Sequence, residues 1–394
     1  MSIRILPSDL VNKIAAGEVV ERPAAALKEL IENSLDAGAT KISITTANGG
    51  KSLLRVEDNG KGMGEKDLKL SIERHATSKL KFDNLDNISS LGFRGEALAS
   101  IGAVSRLMVA SRPKDAENGL KISIFQGEVK APTPFSMNEG TIVEIADLFG
   151  AVPARKKFLK SDRAETSAIT DIVKRLAMSN PDVHFILEGN DRATINWASQ
   201  KGKGALKNRV SQVMGIDFVN NSALLDFSWS EINIIGLAGL PTFTKANSLS
   251  QFYFVNGRAV RDKLLLGAVR AAFSDYIFRD RFAAIALFIS LDPSEVDVNV
   301  HPAKTEVRFQ NASAIRSAII KAIKQALEKE GYKSASNIAD KTLQSFNRPF
   351  QPQYQNAPSI YEPQMDGLSE PSAKFEAEIN ETAGEDFPLG AARA

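Results

Sequence analysis

The stretch from Arg22 to Gly64 constrains the fold of this chain most, because a helix with a polar face is followed at once by a hairpin that ends in glycines. Pro23 suits the first turn of a helix, where its missing N–H costs no hydrogen bond, and Gly38 suits a left-handed stop. The spacing of apolar residues therefore predicts a helix from Pro23 to Asp36. Its predicted buried stripe contains Leu27, Leu30, Ile31, Ser34 and Leu35.

The opposite face of this helix carries Glu29, Asn33 and Asp36, so a carboxylate and an amide look the same way. Taken alone, such a face usually meets only water, because helices commonly expose residues of these types. Whether it forms part of a binding site therefore depends on what the chain brings beside it.

The hairpin that follows favours a binding site. Strand-like residues at 41–46 and 52–57 flank a turn at Asn48-Gly49-Gly50, so the second strand ends at Asp58. The next loop has glycines at positions 60, 62 and 64, which let backbone N–H groups approach a ligand closely. The Asp58 carboxylate can accept a hydrogen bond from an amino group such as that of adenine. Together these features predict a nucleotide pocket.

Two later segments suit the phosphates of a nucleotide. Residues 74–79 read Arg-His-Ala-Thr-Ser-Lys, at the start of a polar stretch to residue 86 that predicts a mobile loop. Residues 92–98 read Gly-Phe-Arg-Gly-Glu-Ala-Leu and predict a glycine-bearing loop that opens a helix from Glu96 to about Val104. A helix N-terminus offers unpaired amides and the positive end of a dipole to phosphate.

These features, in this order, resemble the ATPase family shared by gyrase, the large heat-shock chaperones, sensor histidine kinases and MutL. Residues 15–23, 74–79 and 92–98 are similar in particular to the MutL family of bacterial mismatch-repair proteins. The resemblance implies an α+β fold in three parts. These are a two-layer α/β sandwich ATPase domain at 1–200, a domain similar to the second domain of ribosomal protein S5 at 205–330, and a disordered tail at 331–394.

The resemblance also implies an ATP site that works with Mg²⁺. Glu29 would polarise the attacking water as general base, and the amide oxygen of Asn33 would be both a nucleotide contact and a hard ligand for Mg²⁺. Lys304 matches a lysine that reaches the terminal phosphate, although its spacing alone favours an ordinary solvated lysine. The other implied nucleotide contacts are Asp58, Gly60, Gly62, Met63, Thr77, Ser78, Lys79, Gly92, Phe93, Arg94, Gly95, Glu96, Ala97, Leu98 and Thr141.

One segment departs from the pattern of the family. After Asp147-Leu148-Phe149 the family usually has an aromatic residue and an asparagine, whereas this chain continues with Gly150-Ala151-Val152 before Pro153-Ala154-Arg155. We expect the missing side chains to change the packing and rigidity of this loop. The segments that resemble the ATP site are intact.

Outside these segments, apolar periodicity predicts further elements. In the first domain they are strands at 106–111, 120–125, 141–146 and 184–187, and a helix at 162–178. In the second domain, after a linker at 200–204, they are strands at 251–256, 283–290 and 305–309, and helices at 262–274 and 312–330. The simplest architecture is a mixed sheet with helices on one face.

Two groups of basic residues are candidates for DNA contact, although a formal net charge of +2 provides no bulk attraction. Charged runs are usually only solvated faces, and we find no base-stacking aromatic residues spaced through either group. The resemblance implies that both groups line a groove of an ATP-closed dimer and contact phosphates without reading sequence. The first basic group is Arg155, Lys156, Lys157 and Lys160, and the second is Arg258, Arg261, Lys263 and Arg270.

Composition narrows the class of protein. The chain has 394 residues, of which 43% are hydrophobic and 24% charged, as expected for two or three globular domains. It has no cysteine, which excludes disulfides, cysteine nucleophiles and thiolate metal sites. Because it has neither a secretory signal nor an apolar span of about 18 residues, we expect a cytoplasmic protein with no membrane contact. The proline-rich, polar tail predicts disorder.

Three functions compete at this point: an ATP-hydrolysing switch of mismatch repair, the ATPase module of a type II topoisomerase, and a nucleotide-binding scaffold without turnover. A topoisomerase needs a strand-cleaving tyrosine domain, and the scaffold needs an inert Glu29. The resemblance implies as partners the mismatch-recognition protein MutS, a downstream nuclease and helicase, DNA, and a second copy of the chain when ATP binds. Nothing after Pro349 resembles a C-terminal dimerisation domain, so we expect the chain to be truncated or naturally short.

Overall fold

The computed structural model describes residues 20–78, 95–125, 128–297 and 306–331. All of them belong to one compact unit, which spans residues 1–343. They form two mixed sheets of eight and five strands with helices packed against them, which confirms the predicted α+β class. The predicted tail after residue 331 lies outside the described residues. No helix of the described part is long and apolar enough to cross a membrane.

The eight-stranded sheet comes from the first half of the chain. Its strands are β1 (Lys41–Ala47), β2 (Leu53–Asp58), β3 (Arg106–Arg112), β4 (Gly119–Phe125), β5 (Glu128–Phe135), β6 (Gly140–Ala146), β7 (His184–Gly189) and β8 (Ile195–Trp197). The strand order is β5-β4-β3-β6-β2-β1-β7-β8. Neighbouring strands are antiparallel except β1 and β7, which are parallel.

Helices cover one face of this sheet, as predicted. The described helices of this half of the chain are α1 (Pro23–Asp36), α2 (Glu65–Leu70), α3 (Ala97–Val104), α5 (Asp162–Ser179) and the short α4 (Pro153–Lys156), which has no buried residue. Burial alternates along β2, where Leu54, Val56 and Asp58 are buried and Glu57 is exposed. Because side chains alternate between the two faces of a strand, Asp58 lies on the face that α1 covers.

The second sheet comes from the later part of the chain. Its strands are β9 (Ser222–Trp229), β10 (Ile232–Gly239), β12 (Gln251–Val255), β13 (Arg258–Val260) and β15 (Ile285–Ser290), in the order β13-β12-β15-β10-β9. The two short sheets pair β11 (Thr244–Lys245) with β14 (Phe282–Ala283), and β16 (Val296–Asp297) with β17 (Arg308–Phe309). The accompanying helices are α6 (Ala205–Met214), α7 (Ile216–Asn220), α8 (Lys263–Ala272) and α9 (Ala312–Lys329).

Strand β12 of the second sheet is buried on both faces. Every residue of β12 is buried, with Tyr253 and Val255 in the core beneath α8 and α9. Phe252 and Phe254 join the core of the first sheet instead. A strand buried on both faces reads as a continuous apolar run, which is why the sequence predicts this element well. The predicted domain boundaries at 200 and 205 stay a prediction.

A fully buried arginine, Arg209, anchors helix α6 through hydrogen bonds to backbone carbonyl oxygens. The guanidinium of Arg209 donates to the carbonyl oxygens of Pro181, at 2.9 Å, and of Val183, Trp197 and Ala198. Burial lowers the pKa of Arg209 to about 10, a value at which the side chain still carries its charge at neutral pH. The four carbonyl oxygens thus take the place of the water that this cation loses on burial.

Sequence analysis missed several elements, including β5, β9, β10 and helices α6 and α7. Strand β5 is exposed or half-buried along its whole length and contains Pro132 and Pro134. It forms an edge of the sheet, where proline is tolerated and no apolar alternation is required. The strand predicted at 305–309 is confirmed only over Arg308–Phe309, and Thr305 lies outside the described residues.

Candidate nucleotide site

The Asp58 carboxylate lies at the end of β2 and is 8% exposed. Its Oδ2 accepts a 2.8 Å hydrogen bond from the hydroxyl of Ser34 on α1, and its Oδ1 accepts one of 2.9 Å from the N–H of Gly60. The helix and the glycine loop therefore hold this carboxylate in one orientation. Sequence analysis placed Ser34 in the apolar stripe of α1 and missed its role in the site.

Burial raises the pKa of Asp58 above its ordinary value of 3.8, while hydrogen bonds from Ser34, Gly60 and Thr141 act in the opposite direction. A carboxylate held in a place where its charge is poorly solvated gains from one more donor. An exocyclic amino group of a base would supply such a donor. The site is therefore chemically suited to read that group.

Around Asp58, backbone segments pack so closely against one another that two positions have space only for glycine. Gly62 has a φ of +66°, and a Cβ there would stand 2.3 Å from the carbonyl oxygen of Arg112. Gly140 has a φ of +124°, and a Cβ there would stand 1.9 Å from the carbonyl oxygen of Asp58. The loop after β2 thus lies directly against the ends of β3 and β6.

A second hydroxyl network fixes this loop. The hydroxyl of Ser111 lies 3.0 Å from the Thr141 hydroxyl and 3.0 Å from the carbonyl oxygen of Gly140. The N–H of Met63 donates to the Ser111 oxygen at 2.8 Å. The predicted contacts Met63 and Thr141 are therefore brought to the same wall as Asp58. Ser111, which connects them, was not predicted as a site residue.

Glu29 and Asn33 lie on α1, one turn apart, and both are half-buried. The described residues contain no group of three or more histidine, cysteine, aspartate or glutamate side chains able to hold a metal ion. Mg²⁺ usually keeps water and phosphate ligands and needs only one or two ligands from a protein. Asn33 as a single protein ligand therefore fits Mg²⁺ that arrives with a nucleotide.

The loop at 74–78 packs against the start of α3. Gly95 has a φ of +63°, and a Cβ there would stand 2.4 Å from the carbonyl oxygen of Ala76. His75 Nδ1 lies 3.3 Å from Oε1 of Glu96. Thr77 and Ser78 are exposed at the end of this loop. The first N–H groups of α3, at Ala97 and Leu98, have no acceptor within the helix and remain suited to phosphate.

Several predicted contacts cannot be placed. Lys79, Gly92, Phe93, Arg94 and Lys304 lie outside the described residues. The described members of the predicted site come from α1, the loop after β2, the segment at 74–78, the start of α3 and the start of β6. They include Glu29, Asn33, Asp58, Gly60, Gly62, Met63, Thr77, Ser78, Gly95, Glu96, Ala97, Leu98 and Thr141.

The basic groups lie on different elements, and some of their charges are engaged. In the first group, Lys156 Nζ lies 2.7 Å from Oδ1 of Asp147. In the second, Arg261 Nη2 lies 2.6 Å from Oδ2 of Asp171 on α5. Lys263 is exposed at the first position of α8. Sequence analysis found no base-stacking aromatic residues spaced through the first group, but Phe158 stands within it and is 87% exposed.

One buried carboxylate joins the first basic group to α1. Glu165 of α5 is 1% exposed, and its Oε2 accepts from Nη2 of Arg22 at 2.9 Å. Its Oε1 accepts from the backbone N–H of Lys160 at 3.1 Å. Arg22 directly precedes α1, which carries Glu29. Glu165 therefore connects Arg22, which precedes α1, to Lys160, the last member of the first basic group.

The segment that departs from the family pattern forms a compact turn. Phe149 is buried, and its N–H donates to the carbonyl oxygen of Val104 at 2.8 Å. The N–H of Val152 donates in turn to the carbonyl oxygen of Phe149 at 3.0 Å. At Gly150 a Cβ would stand 2.0 Å from Oδ2 of Asp147, so a side chain there would require the Asp147 carboxylate to move.

Comparisons with known proteins agree with this geometry. The family described as histidine kinase-, DNA gyrase B-, and HSP90-like ATPase matches residues 21–136. The family described as DNA mismatch repair protein, C-terminal domain, matches residues 210–328. The first match contains the Asp58 site and α1, and the second contains most of the five-stranded sheet and its helices.

Individual relatives point the same way. The DNA mismatch repair protein MutL of Rhizobium etli is 48% identical over 430 residues, which cover 100% of this chain and 70% of that protein. The protein of the same name from Azorhizobium caulinodans is 52% identical over 353 residues, which cover 89% of this chain and 56% of that protein. Among solved structures, the Aquifex aeolicus MutL ATPase domain complexed with ADP matches with a TM-score of 0.55 and 26% identity, over 76% of this chain and 98% of that chain.

Proposed function

Because the chain belongs to the MutL family of DNA mismatch repair proteins, we propose that it is an ATP-hydrolysing switch that closes as a dimer when ATP binds. The observation that carries this proposal is the buried Asp58 carboxylate, held by Ser34 and Gly60 beside the helix of Glu29 and Asn33. We expect such an arrangement to bind the base of a nucleotide at Asp58 and its phosphates near Glu29 and Asn33.

Each group in the site has a distinct task. Asp58 accepts a hydrogen bond from the adenine amino group, and Ser34 keeps the carboxylate turned toward it. The N-terminal amides of α3 bind phosphate oxygens. Asn33 would hold Mg²⁺, which neutralises phosphate charge when bound. Glu29 orients and deprotonates the attacking water as general base.

The proposal extends to partners of the mismatch-repair pathway. Turnover is slow, and the closed dimer binds DNA without sequence preference through the two basic groups. It then couples mismatch recognition by MutS to a downstream nuclease and helicase. These steps belong to the whole protein, and this chain spans 56% to 70% of the two relatives described above. The match of residues 210–328 to a mismatch-repair domain favours this function over a topoisomerase module.

The test separates ATP binding from ATP turnover. Glu29→Ala should bind a non-hydrolysable ATP analogue with the affinity of the parent, because the proposed partner of the carboxylate is the attacking water and not the base. Its rate of phosphate release should fall roughly 100-fold or more, the usual contribution of a general base. Glu128→Ala, which removes an exposed carboxylate from the edge strand β5, is the matched control and should change neither quantity.

Two results would contradict the role of Glu29. Equal losses of binding and hydrolysis would mean that the side chain supports the pocket and not the reaction. Unchanged phosphate release would mean that Glu29 is inert, which is the outcome expected of a scaffold without turnover.

A further inference from the structure

The side chains of two phenylalanines in this protein are almost fully exposed to solvent. Phe158 is 87% exposed and Phe278 is 83% exposed, while the next most exposed phenylalanine among the described residues, Phe125, is 42% exposed. Single exposed apolar residues are common on protein surfaces and need no explanation by themselves. These two differ because each lies in a turn rich in arginine or lysine.

The turn around Phe158 is held by its own backbone. The N–H of Phe158 donates to the carbonyl oxygen of Arg155 at 2.9 Å, and the N–H of Leu159 donates to that of Lys156 at 3.3 Å. Leu159 packs against the first core, so its neighbour Phe158 is directed to solvent. Lys157 and Lys160 are exposed on either side. The Phe158 ring is thus carried by a hydrogen-bonded turn, with Lys157 before it and Lys160 after it in the chain.

The turn around Phe278 repeats this arrangement on the second domain. Ile277 packs against the second core, and the following ring of Phe278 is directed to solvent. Nη2 of Arg270 donates to the carbonyl oxygen of Arg279 at 2.7 Å. Nε of Arg281 donates to the Thr244 hydroxyl at 2.9 Å. Arginine side chains therefore fix this turn, and the ring is followed in the chain by Arg279, Asp280 and Arg281, of which two are cations.

A rigid aromatic ring between cations suits a single-stranded nucleic acid. The ring can stack on the face of a base, while the cations contact the phosphates on either side. A duplex hides the faces of its bases in the stack, so it can use only the cations. An apolar ring in such a position adds nothing to a purely phosphate-binding surface.

We propose that Phe158 and Phe278 stack on the bases of single-stranded DNA, so that this protein grips unpaired strands by their bases as well as by their phosphates. The inference rests on the proposed DNA binding and adds two residues that contact bases. It also changes the mode of contact, because stacking is tolerant of sequence but requires a base.

The experiment compares three ligands: a thymine oligonucleotide of about 30 nucleotides, an abasic strand of the same length, and a duplex. Anisotropy is measured with the full chain and a non-hydrolysable ATP analogue. The parent should bind the thymine strand more tightly than the abasic strand. Phe158→Ala and Phe278→Ala should each weaken binding of the thymine strand roughly 5- to 150-fold, the usual range for the loss of one stacked base. Binding of the abasic strand and the duplex should be unchanged.

Control variants separate stacking from charge and from general surface effects. Leu224→Ala removes another exposed apolar side chain, 63% exposed on β9, and should leave all three affinities unchanged. Lys157→Glu should weaken all three ligands, because it acts on phosphates. Phe158→Trp should retain binding of the thymine strand, and its added fluorescence should be quenched on binding.

The outcomes distinguish this inference from the proposed function. If the parent binds neither strand nor duplex, DNA binding itself is wrong, and stacking with it. If the parent binds all three ligands but the phenylalanine variants bind the thymine strand like the parent, only stacking is wrong. Loss of analogue-dependent dimerisation in Phe158→Ala, with DNA affinity intact, would instead assign this ring to contact with a second copy of the chain.

Discussion

The hydroxyl of Ser34 donates a 2.8 Å hydrogen bond to Oδ2 of Asp58, which connects the last turn of α1 to the end of β2. Both residues are buried. The bond means that the carboxylate expected to read a base depends on the same helix that carries Glu29 and Asn33. The proposed base recognition and the proposed phosphate chemistry therefore depend on the same helix.

Ser34→Ala should weaken binding of ADP by about 1 kcal/mol, because Asp58 loses one of the donors that hold it in place. Calorimetry of parent and variant measures this difference. Ser105→Ala is the matched control, since Ser105 is equally buried but donates to the carbonyl oxygen of Ile101, on α3. An equal loss of affinity in both variants would show that Ser34 acts only through stability.

Asp58→Asn should abolish discrimination between adenine and hypoxanthine nucleotides. Hypoxanthine lacks the amino group that Asp58 is expected to accept from, so the parent should bind an ATP analogue about 1–3 kcal/mol more tightly than the matching ITP analogue. The variant should bind the two alike. A parent that does not distinguish the analogues would refute this contact.

The stability of the protein should depend on pH through Asp58. Its pKa in the folded protein is raised above 3.8, chiefly by burial, so folding favours its protonated form. The contribution of this group is therefore complete below pH 3.8 and is lost as the pH rises through the folded pKa. Urea unfolding should show the parent losing stability relative to Asp58→Asn as the pH rises. A difference independent of pH, or one that shrinks, would contradict the shift.

Gly62→Ala should destabilise the protein by about 1–3 kcal/mol or more, because it combines a left-handed φ with a backbone clash. The new Cβ would meet the carbonyl oxygen of Arg112 at 2.3 Å. Gly38→Ala is the matched control, with a φ of +75° and nothing within 4 Å of the new Cβ. Thermal or urea unfolding measures both. Similar losses in the two variants would mean that strain, and not the contact with β3, is what matters at Gly62.

Lys263→Glu should weaken binding to mixed-sequence single-stranded DNA uniformly and reduce the salt slope by about 1. The residue is exposed at the start of α8, so basal ATP hydrolysis should be nearly unchanged. Lys207→Glu, an equally exposed reversal on α6, serves as the control. Anisotropy across a salt series tests it, with and without an ATP analogue. A Lys263 variant that matches the parent in both conditions would place DNA elsewhere.

Sequence alone predicted helix α1 with both of its ends, Pro23 and Asp36, because proline and glycine mark these positions locally. It could not assign Ser34. Helical periodicity counts neighbours on the same helix, whereas the partner of Ser34 is Asp58, which the hairpin brings back from 24 positions away. A polar residue inside an otherwise apolar stripe was the available signal.

The same limit explains what was missed at the surface. The sequence shows Phe158 and Leu159 side by side, and nothing in their order decides which one enters the core. The turn after α4 decides it, by directing Leu159 inward. Strand β5 was missed for a related reason, since an exposed edge strand needs no apolar alternation.

The buried carboxylate of Glu165 has one more consequence. Its two oxygens hold Arg22, beside the nucleotide helix, and Lys160, at the end of the first basic group. If DNA that binds to the first basic group moves Glu165 and its two partners, DNA binding changes the affinity of the protein for nucleotide by some factor. Equilibrium thermodynamics then requires nucleotide to change the affinity for DNA by the same factor, so either measurement gives the strength of the coupling between the two ligands.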